Sequence, residues 1–526
     1  MFRQRKKVFF LGAGAGYLYN FISVSISLIS IPMSLTYFGV ERYGAFAIIT
    51  TLLIYLSITN LGISTAAGIL TAKALDKLEQ LKIIAKAFVL VTLIAIVFFG
   101  ILAFFTRYPF WIKIIGKIPA HIHDEVAKAA FFAAALFLFN LPFALFLQGF
   151  VAIQKVYIAR LYDISAIIFS FLALIITVFS QRSIVYYFVL KGVFTLIISI
   201  ISVIHFNFFE KDNLRTLKYS FNKLFQPAST YEFSTKSILV TGFRIFACGI
   251  AALVVWHTDN LVISNIIGLK AVTPYNITFR LIAGMFVIFT TLNMALNPMY
   301  GKAFAAKDYK WIENNYNRIT AIEQILGGLV WIVAVAFTKD IINLLTGPSG
   351  YAGMLVVFAL GGYGYSLSLV HAHSGLLSSI NEIKNAVYIG WSEAAANLIF
   401  SLILIRFLGI GGVALGTFLA ALSTVFWLIP REIYCRTHGK IRFNFLETKK
   451  YFFIIILPTL VCILFIHYFI NSQIFRLTLS TIVIFLYLLF SYLRLTPENK
   501  HALRELYQKV RNRSLKTEVD VKVVFD

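Results

Sequence analysis

The chain has 526 residues, of which 59% are apolar and 13% charged, against about 45–50% and 25% in an average soluble domain. That balance excludes a soluble enzyme, and three widely spaced cysteines without a CxxC motif (Cys248, Cys435, Cys462) indicate neither a disulfide framework nor a zinc site. A formal charge of +24 would ordinarily suggest nucleic acid, so it has first to be tested against membrane topology.

A membrane helix needs about 20 mostly apolar residues. Fourteen such windows follow one another, at 9–37, 44–71, 84–105, 128–152, 157–180, 184–206, 235–267, 273–299, 318–338, 353–377, 385–407, 411–434, 451–470 and 475–493. The basic start MFRQRKK imitates a signal peptide, but the apolar run continues to Phe38, so a retained first span is expected. With an even number of spans both termini share a side. Of the 47 Lys and Arg, 34 fall on that side and 10 on the other, while Lys191, Arg244 and Arg280 lie inside spans. The bias places both termini in the cytoplasm and explains the charge as topology and lipid contact, without nucleic acid. In the tail from Pro497, Leu503, Leu506, Tyr507 and Val510 share a helical face, as in a basic helix lying on the inner leaflet.

Shifting the sequence on itself by about 230 positions aligns AIIFSFLALII at Ala166 with NLIFSLILIRF at Asn397, and QKVYIARLYD at Gln154 with KNAVYIGWSE at Lys384. The turn Phe38-Gly39, with Tyr43 following, falls opposite Ile267-Gly268 with Tyr275. The expected fold is therefore an all-α integral membrane protein of about fourteen helices. Two pseudo-symmetric six-helix lobes surround a central cavity, with two extra C-terminal helices. The expected division is an N-lobe at 1–206, a cytoplasmic linker at 207–234, a C-lobe at 235–434, the last two spans within 451–493 and a basic tail at 494–526.

A cavity between lobes requires polar faces at helical period. Span 1 carries Gly12, Gly16, Asn20, Ser23, Ser27, Ser30 and Ser34 within about 80° of the helical wheel, and span 2 carries Thr50, Ser57, Asn60, Ser64, Gly68 and Thr71. Close packing through small residues is the competing reading. Spans 7 and 8 add charge to the design. Ser237, Thr241, Arg244, Cys248 and Asp259 are expected on one face of span 7, and Asn276, Arg280, Thr290, Thr291 and Asn297 on one face of span 8. An intramembrane arginine normally faces a wet interior or a partner; the alternative to a binding site is that Arg244 and Arg280 tie structurally to Asp163, Glu323 or Glu393. Lys191 either joins this patch or snorkels outward. His371 and His373, two apart, point to different sides of span 10 and are read as helix-interface residues. The HIHDE cluster (His121, His123, Asp124, Glu125) has metal-ligand residue types but lacks a second ligand set, so a solvated turn is expected.

The segment Ile26 to Ser64, ISLISIPMSLTYFGVERYGAFAIITTLLIYLSITNLGIS, resembles the opening of Wzx-type polysaccharide flippases of the multidrug/oligosaccharidyl-lipid/polysaccharide (MOP) exporter superfamily. WHTDNLVISNIIGLKAVTPYN, from Trp256, resembles their second-half counterpart, and FLGIGGVALGTFLA, from Phe407, the start of their twelfth helix. The resemblance implies translocation of an undecaprenyl-diphosphate-linked oligosaccharide (an O-antigen, capsule or exopolysaccharide unit) between leaflets of the bacterial cytoplasmic membrane, by alternating access. It implies membrane lipids and other polysaccharide assembly proteins as partners and no catalytic cofactor. On this reading Arg244 and Arg280 hold the diphosphate with Lys191 assisting, and Asn20, Ser23, Ser27, Asn60, Ser64, Asn276 and Asn297 contact the glycan. No GxxxxGK[ST] motif is present, so coupling falls to the membrane potential or to proton or sodium exchange through Asp163, Asp259, Glu323 or Glu393.

Two rivals compete with this reading. A cation or drug antiporter of the same fold usually has a carboxylate in the N-terminal cavity, and spans 1 and 2 contain none. An integral-membrane glycosyltransferase or polymerase needs an acidic or metal-binding outer loop, for which only Glu41 and the HIHDE cluster are available.

Overall fold

The computed structural model describes residues 2–74, 76–108, 115–153, 155–209, 234–379 and 383–494. The expected inter-lobe linker and basic tail thus lie almost wholly outside the described residues, and no strand occurs among those described.

The first helix, α1, runs Phe2–Leu56 but breaks at Gly39, whose φ of 76° is left-handed. Its apolar part, Gly14–Asn60, has 47 residues, about 70 Å at 1.5 Å per residue. That is more than twice the bilayer's hydrocarbon thickness, so the segment crosses twice. Gly39 and the other loops on its side define the far side of the membrane; the N-terminus defines the near side. The second crossing is not the uninterrupted helix expected at 44–71. It ends in a 3₁₀ turn at Ser57–Asn60, passes Leu61 (φ 48°) and Gly62 (φ 69°), and resumes as α2, Ile63–Lys73. The Asn60 side chain causes the break locally, accepting a hydrogen bond from the Gly62 N–H at 2.7 Å and so competing with helix continuation.

The first lobe continues with α3 Lys77–Phe105, α4 His123–Ala152, α5 Val156–Phe179 and α6 Ile184–Phe209. The second comprises α7 Thr235–Ile266, α8 Leu269–Ala305, α9 Tyr309–Thr346, α10 Met354–Ser379 and α11 Ile383–Leu408. Its last crossing is offset at Thr424 into α12 Ile410–Ser423 and α13 Val425–Arg436. A short α14, Phe445–Tyr451, leads through a wide turn into α15 Leu457–Phe469, and α16 is Gln473–Arg494. Twelve described segments are long and apolar enough to cross a membrane. The double crossing of Gly14–Asn60 and the 37-residue α8 bring the crossings to the fourteen expected.

The duplication is visible in the packing. In the first lobe α1 packs on α5, α3 on α4, α4 on α6 and α5 on α6; in the second, α7 packs on α11, α9 on α10, α10 on α12 and α11 on α12. Each contact recurs six crossings later. The matched turns recur too, since Gly268, like Gly39, has positive φ (127°), and Tyr43 and Tyr275 are both buried. Both C-terminal helices pack on α9. There the buried Arg476 pairs with Asp340 at 2.5 Å, and Tyr487 donates to the Ile325 carbonyl at 2.8 Å.

Candidate functional site

The lobes meet through α1 and α2 on one side and α7 and α8 on the other. At the far side they are tied by polar contacts. Lys270 Nζ lies 2.9 Å from Glu41 Oε1, and Thr273 donates to the Val40 carbonyl at 2.6 Å. Lys117 closes the end of α7, its N–H donating to the Ser264 carbonyl at 3.1 Å and its ammonium to that of Ile266 at 2.7 Å. This supplies donors to terminal carbonyls that a helix end leaves unsatisfied. His121 sits 3.0 Å from the same Glu41, and Glu125 pairs with Arg42 at 2.8 Å. The HIHDE cluster is thus engaged in tying loops together, and no group of three metal-ligating side chains occurs among the described residues.

Deeper in, two hydrogen bonds cross between the lobes. Asn260 Nδ2 donates to Thr51 Oγ1 at 3.1 Å, and the hydroxyls of Tyr55 and Thr258 lie 2.7 Å apart. Beside them is a cavity of about 120 Å³, lined among others by Thr50, Asp259, Tyr275, Asn276 and Arg280. The Arg280 guanidinium stands 6.0 Å from the Phe46 ring, Phe46 packs 5.3 Å from Tyr187, and Lys191 Nζ stands 6.0 Å from the Tyr187 ring. Two cations, one from each lobe and within electrostatic range of each other, therefore rest on one aromatic pair. Ring faces attract cations, which helps hold two like charges in one interface. Neither arginine forms an ion pair with Asp163, Glu323 or Glu393 among the described residues, so the structural-tie alternative is not what is seen.

Arg244 is not part of this patch. It lies on α7 about 36 Å along the helix from the Gly268 turn, whereas Arg280 lies about 18 Å along α8 from it. Arg280 is at mid-bilayer depth and Arg244 near the near-side boundary, where it is exposed. The single polar face expected on span 7 also divides, Asp259 being buried and Arg244 exposed.

Asp259 instead turns into the second lobe. It accepts hydrogen bonds from Tyr275 and from Thr417 at 3.1 Å, and Thr417 in turn accepts from Asn397 Nδ2 at 2.9 Å. Asn397 Oδ1 is buried without a hydrogen-bond partner. The sequence reading missed Asn397 and Thr417 as site residues, although Asn397 stands at the head of the repeat match; on the far helices α11 and α12 neither could be assigned a neighbour from periodicity.

The remaining expected residues scatter. Asn276 is buried on the central cavity, its Oδ1 without a partner among the described residues. Asn60 is occupied in its own turn, and Ser64 is buried in α2. Asn20, Ser23 and Ser27 are half-buried on the first crossing, which meets α8 where Val24 faces Gly284. The side chain of Asn297, like those of Cys248, Thr290 and Thr291, lies outside those described. Asp163 pairs with Arg160 at 3.0 Å, Glu323 is buried in α9 within electrostatic range of Tyr300, and Glu393 Oε1 is buried without a hydrogen-bond partner among the described residues. His373 bonds the Tyr316 hydroxyl at 2.7 Å, the helix-interface role expected of it.

Toward the near side the lobes touch again at Gly62 and Gly242. A Cβ on Gly62 would lie 2.3 Å from the Gly242 carbonyl oxygen, so the backbones meet where no side chain fits. Between this contact and the centre lies a groove of about 340 Å³, lined by Ser57, Asn60 and Thr65 from the first lobe and Ile245, Phe246 and His257 from the second. Trp256 and His257 border both the groove and the central cavity.

The MatE family profile matches residues 249–403. The solved structure of the lipid II flippase MurJ in an inward closed conformation superposes with a TM-score of 0.68 at 14% identity, over 92% of this chain and 98% of that one. An inward-facing multidrug resistance MATE family transporter of the MOP superfamily superposes at 0.62 and 14% identity, over 80% and 98%. Fold and site thus define a multi-pass membrane protein built as the two-lobed MOP exporters are. The curated relatives are narrower. A Salmonella typhimurium protein named "Putative O-antigen transporter" is 24% identical over 423 residues, covering 80% of this chain and 94% of the relative, and a Salmonella typhi protein of the same name is 21% identical over 427 residues. Together these matches bear out the resemblance to Wzx-type flippases that the sequence carries.

Proposed function

We propose that the protein is a flippase that moves an undecaprenyl-diphosphate-linked oligosaccharide from the inner to the outer leaflet of a bacterial cytoplasmic membrane, with both termini cytoplasmic and no covalent chemistry on its cargo. The observation that carries the reading is that Arg280 and Lys191, contributed by opposite lobes, face the two rings of one aromatic pair, Phe46 and Tyr187. A diphosphate leaving water requires cationic donors, and two cations contributed by opposite lobes would grip it only while the lobes are near each other. Asn276 and Thr50 offer the amide and hydroxyl that a glycan needs. The central cavity of about 120 Å³ is smaller than the 300–1,000 Å³ usual for enclosed ligands, so cargo enters when the lobes part; the near-side groove leads to it.

Coupling is assigned to Asp259. Among the described residues no cation pairs with it, and a buried carboxylate needs a counter-charge or a proton. Thr417 and Asn397 lead away from Asp259 as a hydrogen-bonded chain that ends in the buried Asn397 Oδ1, which suits exchange of a proton or sodium ion. The test uses proteoliposomes loaded with labelled undecaprenyl-diphosphate oligosaccharide, following leaflet exposure and chain length. Exposure that changes at constant chain length, and that responds to an imposed sodium or proton gradient only while Asp259 is intact, is the expected result. A changed chain length would mean an enzyme, and drug efflux without lipid movement would mean an antiporter.

A further inference from the structure

Away from the lobe interface, α13 and the turn after it build a groove of about 320 Å³. Phe426, Trp427, Tyr434 and Phe445 form its walls and Arg431 and Arg442 its charged edge, with no carboxylate in the lining. Trp427, 47% exposed, packs 4.4 Å from Phe445. The Arg442 guanidinium stands 5.8 Å from the Tyr434 ring, with Nε donating to the Gly439 carbonyl at 3.3 Å. Arg431 is exposed and makes no hydrogen bond or ion pair among the described residues, its neighbour Glu432 being paired with Arg436 at 2.7 Å.

The groove is held open in advance. The Arg442 N–H donates to Glu313 Oε1 at 2.9 Å, Asn317 Nδ2 donates to the Arg442 carbonyl at 2.9 Å, and the Asn444 N–H donates to Asn317 Oδ1 at 2.8 Å. Three bonds from α9 thus fix the strand of chain that carries one arginine and one aromatic wall. The turn is further shaped by His438 and Gly439, both at positive φ. Because α13 ends the twelfth crossing on the near side, the groove lies at the level where tryptophan and tyrosine meet lipid headgroups.

We propose that this groove is a binding site for an anionic phospholipid. Charge complementarity selects the occupant. A neutral lipid would cover the aromatic walls and leave two arginines without a counter-ion; a free phosphate would answer the arginines and leave the walls wet. A phosphodiester headgroup between Arg431 and Arg442, with its acyl chains along Trp427 and Phe445, satisfies both. The site is independent of the cargo assigned above.

The test is a lipid titration of the full-length detergent-solubilised protein followed by native mass spectrometry, with phosphatidylglycerol, phosphatidylcholine and inorganic phosphate as probes. Phosphatidylglycerol is expected to bind in preference to phosphatidylcholine and to resist inorganic phosphate. Arg431→Gln and Arg442→Gln are each expected to weaken it about fivefold, while Arg182→Gln on the far side leaves it unchanged. Equal binding of the two lipids, displacement by inorganic phosphate, or an equal loss in Arg182→Gln would overturn the proposal. Arg431 supports no other part of the fold, so an unaltered preference in Arg431→Gln alone would also overturn it.

Discussion

Lys270 Nζ stands 2.9 Å from Glu41 Oε1, joining the two lobes through the matched turns that follow Gly268 and Gly39. In the cycle proposed above, the pair sits where the far side would part for outward release. Lys270 is 75% exposed in its side chain, so the contact is worth about 0–1 kcal/mol, and it acts beside the Lys117 and Thr273 contacts. Glu41→Gln should therefore raise the far-side-open population by up to about fivefold without altering expression. The readout is labelling of a Thr273→Cys variant by a membrane-impermeant maleimide, with Cys248, Cys435 and Cys462 replaced by serine. Because Thr273→Cys removes the Thr273 bond from both variants compared, labelling unchanged by Glu41→Gln would show that the Lys117 contacts hold the gate unaided.

Replacing Arg280 should separate charge from geometry. Loss of a charge-assisted hydrogen bond costs about 1.5–3 kcal/mol, so Arg280→Gln is expected to weaken binding of labelled undecaprenyl diphosphate about ten- to a hundredfold. Arg280→Glu should abolish transport with the protein still in the membrane, and Arg280→Lys should lie between, keeping the charge without the planar fork. Arg244, exposed near the near-side boundary, should tolerate Arg244→Gln within a few-fold. Equal losses at the two arginines would restore the two-arginine site expected from the helical wheel.

The crossings were legible because lipid imposes a length and an apolar composition on each, and the duplicated turns were legible because Gly39 and Gly268 need a backbone that side chains disfavour. The site was legible in part. A helical wheel reports which residues share a face but not their depth, so it grouped Arg244 with Arg280. It also cannot say which helix a face meets, so the bond to Asp259 from Thr417, and that to Thr417 from Asn397, more than a hundred residues away in sequence, could not be read from periodicity. The interruption at Asn60 to Gly62 was missed because hydropathy is continuous there and a local side-chain hydrogen bond makes the break.

Asp259 lends itself to two variants with different outcomes. Asp259→Asn keeps the shape and removes the negative charge, so ion-driven transport should fall to the rate seen without a gradient while the fold survives. Tyr275→Phe leaves the charge but removes one of its donors, exposing a buried acceptor at a cost of about 1–3 kcal/mol, which should appear as a lower unfolding temperature. Gradient-dependent transport that persists in Asp259→Asn would move the coupling site elsewhere, with Glu393, whose buried Oε1 has no hydrogen-bond partner among the described residues, next to be tested.

Two tryptophans allow packing to be distinguished from passage. Trp331 is 1% exposed, donates to the Phe358 carbonyl at 2.9 Å and packs on Tyr365, Phe418 and Phe452, far from any path between the lobes. Trp331→Ala should cost about 3–5 kcal/mol, and transport should fall only in proportion to folded protein. Trp256 borders the near-side groove, the central cavity and an apolar cavity of about 160 Å³ within the second lobe. Part of its surface already faces open space, so Trp256→Ala removes fewer contacts and should cost less stability. It would, however, join three cavities that the ring now divides, and transport per folded molecule should change. Thermal unfolding and transport measured on the same preparations check both, and a Trp256→Ala loss that merely tracks folded protein would mean the ring is packing alone and the path runs elsewhere.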